Sequence, residues 1–214
     1  DMDMERDSVI NKILNMDVIN IPSGLQPRAA LAFSFVPMIK LLEKIDVIDT
    51  SINLWLPKSI ESISSKRFLY SKDTNDNPLI ELSKKMYKKI PIIYSNTSTM
   101  KVAGIRLKGQ ICENSKMLSY CNELPELNHN EIVGWENNQN LFKHLFVLWL
   151  VDKSDNSRVK LRTKITRTIL EERGVNQVTL STNGDSFQER FLDMIHYGDW
   201  LSYWCAILHN TDPS

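Results

Sequence analysis

The sequence predicts an α/β fold: a parallel, doubly wound sheet flanked by helices, in three layers (α/β/α). Three observations predict it. The runs "IPIIY" and "LFVLWLV" carry no charge at all and read as strands buried on both faces, as parallel sheets require. Longer amphipathic stretches lie between such runs, so strand and helix alternate along the chain. No internal repeat or low-complexity tract interrupts the alternation.

In chain order, "DSVINKILN" has helical spacing and "DVINI" reads as a strand. In "PSGLQPRAALAFSFVPMIKLLEKI", Gly24 marks a turn and Pro27 suits the first turn of a helix, where its missing N–H would be unpaired anyway. Apolar residues from Ala30 to Leu42 continue that helix, with a kink expected at Pro37. Arg28 thus sits at a strand's exit. Residues 46–66 read as a connector and a partly helical segment, "SKDTNDNP" as a polar loop and "LIELSKKMYKK" as an amphipathic helix. "IPIIY" is a strand, and a helix is expected from Ser98 to Lys108. "GQICENSKMLSYC" follows, then the polar stretch "CNELPELNHNEIVGWE". "LFVLWLV" is the second buried strand, "ITRTILEERG" a helix capped at Gly174, and "VNQVTLS" a third strand. The last helix opens on a capping box, Ser186 and Glu189. Phe187, Phe191, Met194, Leu201, Cys205 and Leu208 then form one apolar stripe, with Gly198 on it to permit close helix contact.

The 214 residues suit one large domain or two small ones. Hydrophobic residues are 42% and charged residues 24%, and the net charge is zero. That balance argues against nucleic acid or a membrane surface as partner. The one basic run, "RVKLRTKITR", puts Arg158, Lys160, Arg162 and Lys164 on alternate residues, as on the wet face of a strand or arm. Three cysteines, Cys112, Cys121 and Cys205, show no CxxC and no zinc spacing, so reduced thiols in the cytoplasm are expected. No metal or other cofactor is expected. No apolar run reaches the ~18 residues of a membrane span. The chain does not begin with Met and enters a structured pattern at once, which suggests a piece of something longer.

Ligands of open parallel sheets bind beyond the carboxyl ends of the strands. Arg28, Glu113 and His129 are the candidates expected there. Each has a plainer reading: a surface arginine, a solvated carboxylate, and a loop histidine beside a helix cap formed by Asn128 with Glu131. "SNTSTM", Ser95 to Met100, is a Ser/Thr-rich segment before a helix, and cap chemistry accounts for it. His144, His196 and His209 lie on or beside apolar patterns and read as structural.

Taken together, "IPSGLQPRAALAFSF", "RLKGQICENSKM", "PELNHNEIVGWE" and "GDSFQERFLDMIHYGDWLSYWCAILHNTDP" resemble the bifunctional phosphoglucose/phosphomannose isomerases. These belong to the phosphoglucose isomerase superfamily, built from sugar-isomerase (SIS) domains. The resemblance implies that residues 1–46 are the end of a first SIS domain and 47–214 a second one lacking its last residues. It implies interconversion of glucose 6-phosphate or mannose 6-phosphate with fructose 6-phosphate through a cis-enediolate. It carries the family's catalytic glutamate to Glu113, its histidine to His129 and its arginine to Arg28. Arg28 and Asn128 are the expected substrate contacts. It also implies a homodimer, in which the histidine comes from the neighbouring subunit.

The residue types fit that chemistry. A carboxylate, raised toward neutrality by desolvation, moves a proton between C1 and C2. A guanidinium stabilises the anionic enediolate. An imidazole titrating near neutral pH serves ring opening. Two family features have no counterpart. No Gly-rich phosphate segment lies near "DMDMERD", and the lysine expected after the Asp-Pro of "HNTDPS" lies past Ser214. Little activity is therefore expected of these residues alone. The competing expectations are a non-catalytic sugar-phosphate-binding SIS regulator and a dimerisation module.

Overall fold

The computed structural model describes residues 18–48 and 51–213. Its contacts divide the chain into two units, residues 1–52 and 53–214.

In the first unit a 3-10 turn, Pro27–Ala29, leads into helix α1, Leu31–Lys44. Pro27 opens that turn, and Gly24 precedes it at φ 82°, where a side chain would be strained. Pro37 lies inside α1 and leaves one backbone carbonyl without its helical donor. The strand expected at "DVINI" does not form over its described residues, 18–21. A strand persists only where a neighbour takes up its backbone groups, and the four described strands pair only with one another. Arg28 therefore does not leave a strand. The helix expected at "DSVINKILN" lies outside the described residues.

The second unit runs α2 (Ile52–Tyr70), α3 (Pro78–Met86), β1 (Ile90–Asn96), α4 (Lys101–Ser115), β2 (Tyr120–Leu124), β3 (Leu145–Leu150), α5 (Ser157–Glu172), β4 (Asn176–Leu180) and α6 (Phe187–Leu208). The strands form one parallel sheet in the order β2-β1-β3-β4. Successive side chains alternate between its faces. Ile93, Phe146, Leu148 and Leu150 meet α3, α4 and α6 on one face. Tyr94, Val147 and Trp149 meet α5 and three 3-10 turns on the other. One crossover winds outward from β1 through α4, the other from β3 through α5. This is the three-layer, doubly wound α/β/α fold that the alternation predicts.

Glycine sets how closely the layers approach. A Cβ on Gly104 would meet Ser95 Oγ at 3.3 Å and Ile93 Cγ2 at 3.4 Å, so α4 lies tight against β1. A Cβ on Gly198 would meet Leu107 Cδ1 at 3.1 Å, so α6 lies tight against α4, as its place on the apolar stripe predicts. The capping box at Ser186 and Glu189 forms in full.

Three elements depart from expectation. β2 is a strand within a stretch expected to be a loop. As an edge strand it buries little more than Leu124, so its polar residues are tolerated while its backbone completes the edge of β1. The helix expected over Ser98 to Lys108 instead runs Lys101–Ser115 and takes in "GQICENS". The basic run is helical, in α5, not a strand or arm. Its inward side is Val159, Thr163, Thr166 and Leu170 at steps of four, three and four, and two threonines on that side hide the helical period.

Candidate active site

α4 leaves the carboxyl edge of the sheet after β1 and returns to the amino edge, where β2 begins. Lys101, its first residue, pairs with Glu123 near the end of β2 at 2.7 Å. Glu113 lies twelve residues further, about 18 Å along the helix at 1.5 Å per residue. Glu113 is therefore at the amino edge, not beyond the strands' carboxyl ends as expected. His129 follows β2 and is at the carboxyl edge. β2 spans about 13 Å between them, since its five residues are separated by four steps of about 3.3 Å. Within one chain, Glu113 and His129 do not converge.

Glu113 is exposed, and its Oε1 folds back along α4 to within 4.0 Å of where a Cβ on Gly109 would stand. The helix end that carries it is firmly held. Asn114 donates to Ser202 Oγ at 2.8 Å and Ser115 donates to the Ser202 carbonyl at 2.7 Å. One turn back Gln110 donates to Asp199 at 2.8 Å, and Arg106 grips both oxygens of the same carboxylate at 3.1 and 2.8 Å. Arg106, Gln110 and Asn114 recur every four residues, so one polar row of α4 is bolted to α6. Sequence reasoning missed Asp199 and Ser202; that i, i+4, i+8 polar row was the available signal. On the outer face Val102 (61% exposed), Ile105 (51% exposed), Gly109 and Glu113 follow at steps of three, four and four. Glu113 thus ends an uncovered apolar stripe.

His129 is exposed at the end of the 3-10 turn Glu126–Asn128. Its neighbours are pinned. Asn128 donates to Thr166 of α5 at 2.8 Å. Asn130, not Asn128, caps the next turn, accepting from the Glu131 N–H at 2.6 Å. The difference follows from the turn at Glu126–Asn128, which rotates the Asn128 amide toward α5 and leaves Asn130 at the start of the next turn. Glu131 accepts from Tyr94 Oη and from Asn122 Nδ2. Trp135 Nε1 donates to Tyr94 Oη at 3.1 Å. Burial, with the nearby Glu131 carboxylate, pushes the Tyr94 phenol well above the usual tyrosine range, so it serves as a neutral donor.

The crevice where the two crossovers diverge, between the ends of β1 and β3, is where such sheets ordinarily take ligands. Here the chain's own polar groups pair with one another. Asp155 Oδ1 accepts from Asn96 Nδ2 at 2.8 Å and from Thr99 Oγ1 at 2.6 Å. Asp152 and Arg190, both buried, pair through two bonds of 2.6 and 2.9 Å. Burial acts to raise the Asp152 pKa, but its bonds with Arg190 and Ser154 outweigh that and leave it below the usual carboxylate range. The Ser/Thr-rich segment Ser95 to Met100 is thus engaged with an internal carboxylate. Asn96 also accepts from the Ser98 N–H at 3.1 Å, but the N-cap of α4 is Met100, with no side-chain cap bond, so the segment does not cap the helix as expected; Thr99 is turned to Asp155 instead.

Arg28 lies in the first unit, half-buried in the turn Pro27–Ala29, and donates to Gln26 Oε1 at 3.4 Å. Cys112, Cys121 and Cys205 are unbridged, and burial pushes the Cys205 thiol up to about 12. Among the described residues no three His, Cys, Asp or Glu side chains gather as a metal site. No described helix is long and apolar enough to cross a membrane.

The family model described as the bacterial phospho-glucose isomerase C-terminal SIS domain matches residues 75–214. The bifunctional phosphoglucose/phosphomannose isomerase of Caldicellulosiruptor bescii is 38% identical over 202 residues, 92% of this chain and 59% of its own length. That of Aquifex aeolicus is 36% identical over 199 residues, 92% of this chain and 57% of its own. The chain spans less than two thirds of the curated relatives it matches. The solved C-terminal domain of glucosamine-fructose-6-phosphate aminotransferase from Francisella tularensis superposes with a TM-score of 0.59 at 13% identity, over 92% of this chain and 57% of that one. At that identity the likeness is one of fold alone.

Proposed function

The chain belongs to the family of bacterial phosphoglucose isomerase C-terminal SIS domains, and on that premise we propose that it supplies catalytic groups for aldose–ketose isomerisation of hexose 6-phosphates. The substrates are glucose 6-phosphate and mannose 6-phosphate, each interconverted with fructose 6-phosphate. Glu113 is the base. It takes the C2 proton of the open-chain aldose, the C–H electrons form a C1–C2 double bond, and the carbonyl pair moves to O1. The cis-enediolate then shifts the O2 proton to O1 and regains a proton at C1 from Glu113. C2 is oxidised as C1 is reduced, so the redox balance is internal. His129 serves ring opening, in which the ring C–O bond breaks, the anomeric hydroxyl loses its proton and the ring oxygen gains one. Arg28 stabilises the anionic enediolate more than the neutral sugar, which is what lowers the barrier. Residues 1–46 are read as the end of a first SIS domain and 47–214 as the second.

The observation that carries this reading is the way the two motif residues are presented. Glu113 and His129 are both exposed, each on a segment tied down by buried partners, and they stand at opposite edges of one sheet. A single site holding both takes them from two chains. This supports a homodimer in which a second copy brings its carboxyl edge to the stripe of Val102, Ile105 and Gly109. That cover also supplies the desolvation a basic carboxylate needs.

The test uses the protein at its full natural length with fructose 6-phosphate. Glu113→Gln and Glu113→Ala are both expected to lower turnover by about 10²–10⁴-fold, the range for a lost general base, while sugar-phosphate binding survives. A parent protein that binds sugar phosphate without turnover would instead establish the regulator.

A further inference from the structure

We propose that Tyr94 and Asn122 form a two-pronged carboxylate receptor for Glu131, and that this clamp is the positioning device that holds His129 for ring opening. The inference rests on the role given to His129 above.

Tyr94 on β1 and Asn122 on β2 are register partners, so their side chains leave the sheet side by side on one face. One presents a hydroxyl and the other an amide N–H, and each takes one oxygen of the Glu131 carboxylate. Both prongs are themselves fixed. The Tyr94 ring is fully buried and lies 4.9 Å from the Trp149 ring, and its oxygen also accepts from Trp135 Nε1. Asn122 cannot turn its amide over without cost, because its Oδ1 accepts the Glu123 N–H at 2.8 Å. Glu131 stands two residues after His129 and Trp135 four further on, so one phenol fastens the loop at two points. On the other side Asn128 is tied to Thr166. An exposed imidazole on a loop would otherwise sample many positions. Fastening both flanks to the sheet removes that freedom before substrate arrives, where effective concentration is gained.

The readout must separate positioning from folding. Fructose 6-phosphate closes its ring through O5, so a 5-deoxy analogue stays open-chain and bypasses ring opening. In the full-length protein, Tyr94→Phe removes one prong and keeps the ring. Glu131→Gln leaves one acceptor oxygen for two donors, so either Tyr94 or Asn122 loses its partner. Both are expected to lower kcat on fructose 6-phosphate by about 10- to 100-fold, the scale of a small misplacement, with KM little changed. Both are expected to leave turnover of the 5-deoxy analogue within about twofold, because no step there uses the imidazole. Equal losses on both substrates would show a merely structural role and overturn the proposal. So would unchanged turnover on both, with His129→Gln still impaired on fructose 6-phosphate alone. If His129→Gln itself is unimpaired on fructose 6-phosphate, the role of His129 fails, and the clamp's purpose with it.

Discussion

Asp152 and Arg190 show how much a single pair can contribute from inside the molecule. Their side chains are 1% and 4% exposed, and Arg190 also donates to the carbonyls of Gly184, Asp185 and Ser186, so α6 is pinned to the end of β3. Asp152→Asn would leave a buried guanidinium half-paired and is expected to cost about 3–5 kcal/mol in urea unfolding. The folded pKa of Asp152 lies below its unfolded value. The stability it contributes is therefore present above about pH 4 and is lost as pH falls through the unfolded and then the folded value. The parent should weaken steeply below about pH 4, and Asp152→Asn should show a shallower slope there. Neither residue was legible as a partner in the sequence, because 38 positions separate them. Glu113 and His129 stood out as candidates only through the strings around them. The cap expected at Asn128 is formed instead by Asn130, two residues on, since both are good capping residues and only the turn geometry chooses between them.

At the scale of elements, periodicity performed well where side chains were apolar and poorly where they were not. The α6 stripe predicted Gly198 as a close contact, and Leu107 is there. Gly198→Ala gains about 1 kcal/mol of helix propensity and loses a comparable amount to crowding. Gly198→Val is expected to destabilise by about 1–3 kcal/mol, read from the denaturation midpoint at unchanged slope. β2 and the first half of α5 were hidden by their polar residues, whereas "ITRTILEERG" was legible as the helix that ends α5. β2 exists because β1 has an edge to complete, and the first half of α5 escaped notice because two threonines occupy inward positions that pattern rules assign to apolar residues. The polar row Arg106, Gln110 and Asn114 was passed over for the opposite reason: a row of hydrogen-bonding groups on a helix looks like a wet face until its partners on α6 are known.

The whole-molecule question is which chains share a site. If Glu113 and His129 act on one substrate from two copies, mixing Glu113→Gln and His129→Gln proteins should restore activity to otherwise inactive preparations. Random reassortment gives half heterodimers with one intact site of two, hence about a quarter of parent turnover. No recovery after dissociation and remixing would count against the shared site. What the sequence determined by itself was the layered α/β class, the capped final helix and the motif residues with their family. Hydrophobic periodicity and short strings of residues are local properties, and local order is written directly in the chain. Tertiary structure alone decided that α4 carries Glu113 to the edge of the sheet opposite His129. It alone decided that Asp155 meets Asn96 and Thr99, and that Tyr94 and Asn122 meet at Glu131. Each of these depends on which distant segments become neighbours, and that is fixed by packing and strand register rather than by any stretch of residues read alone.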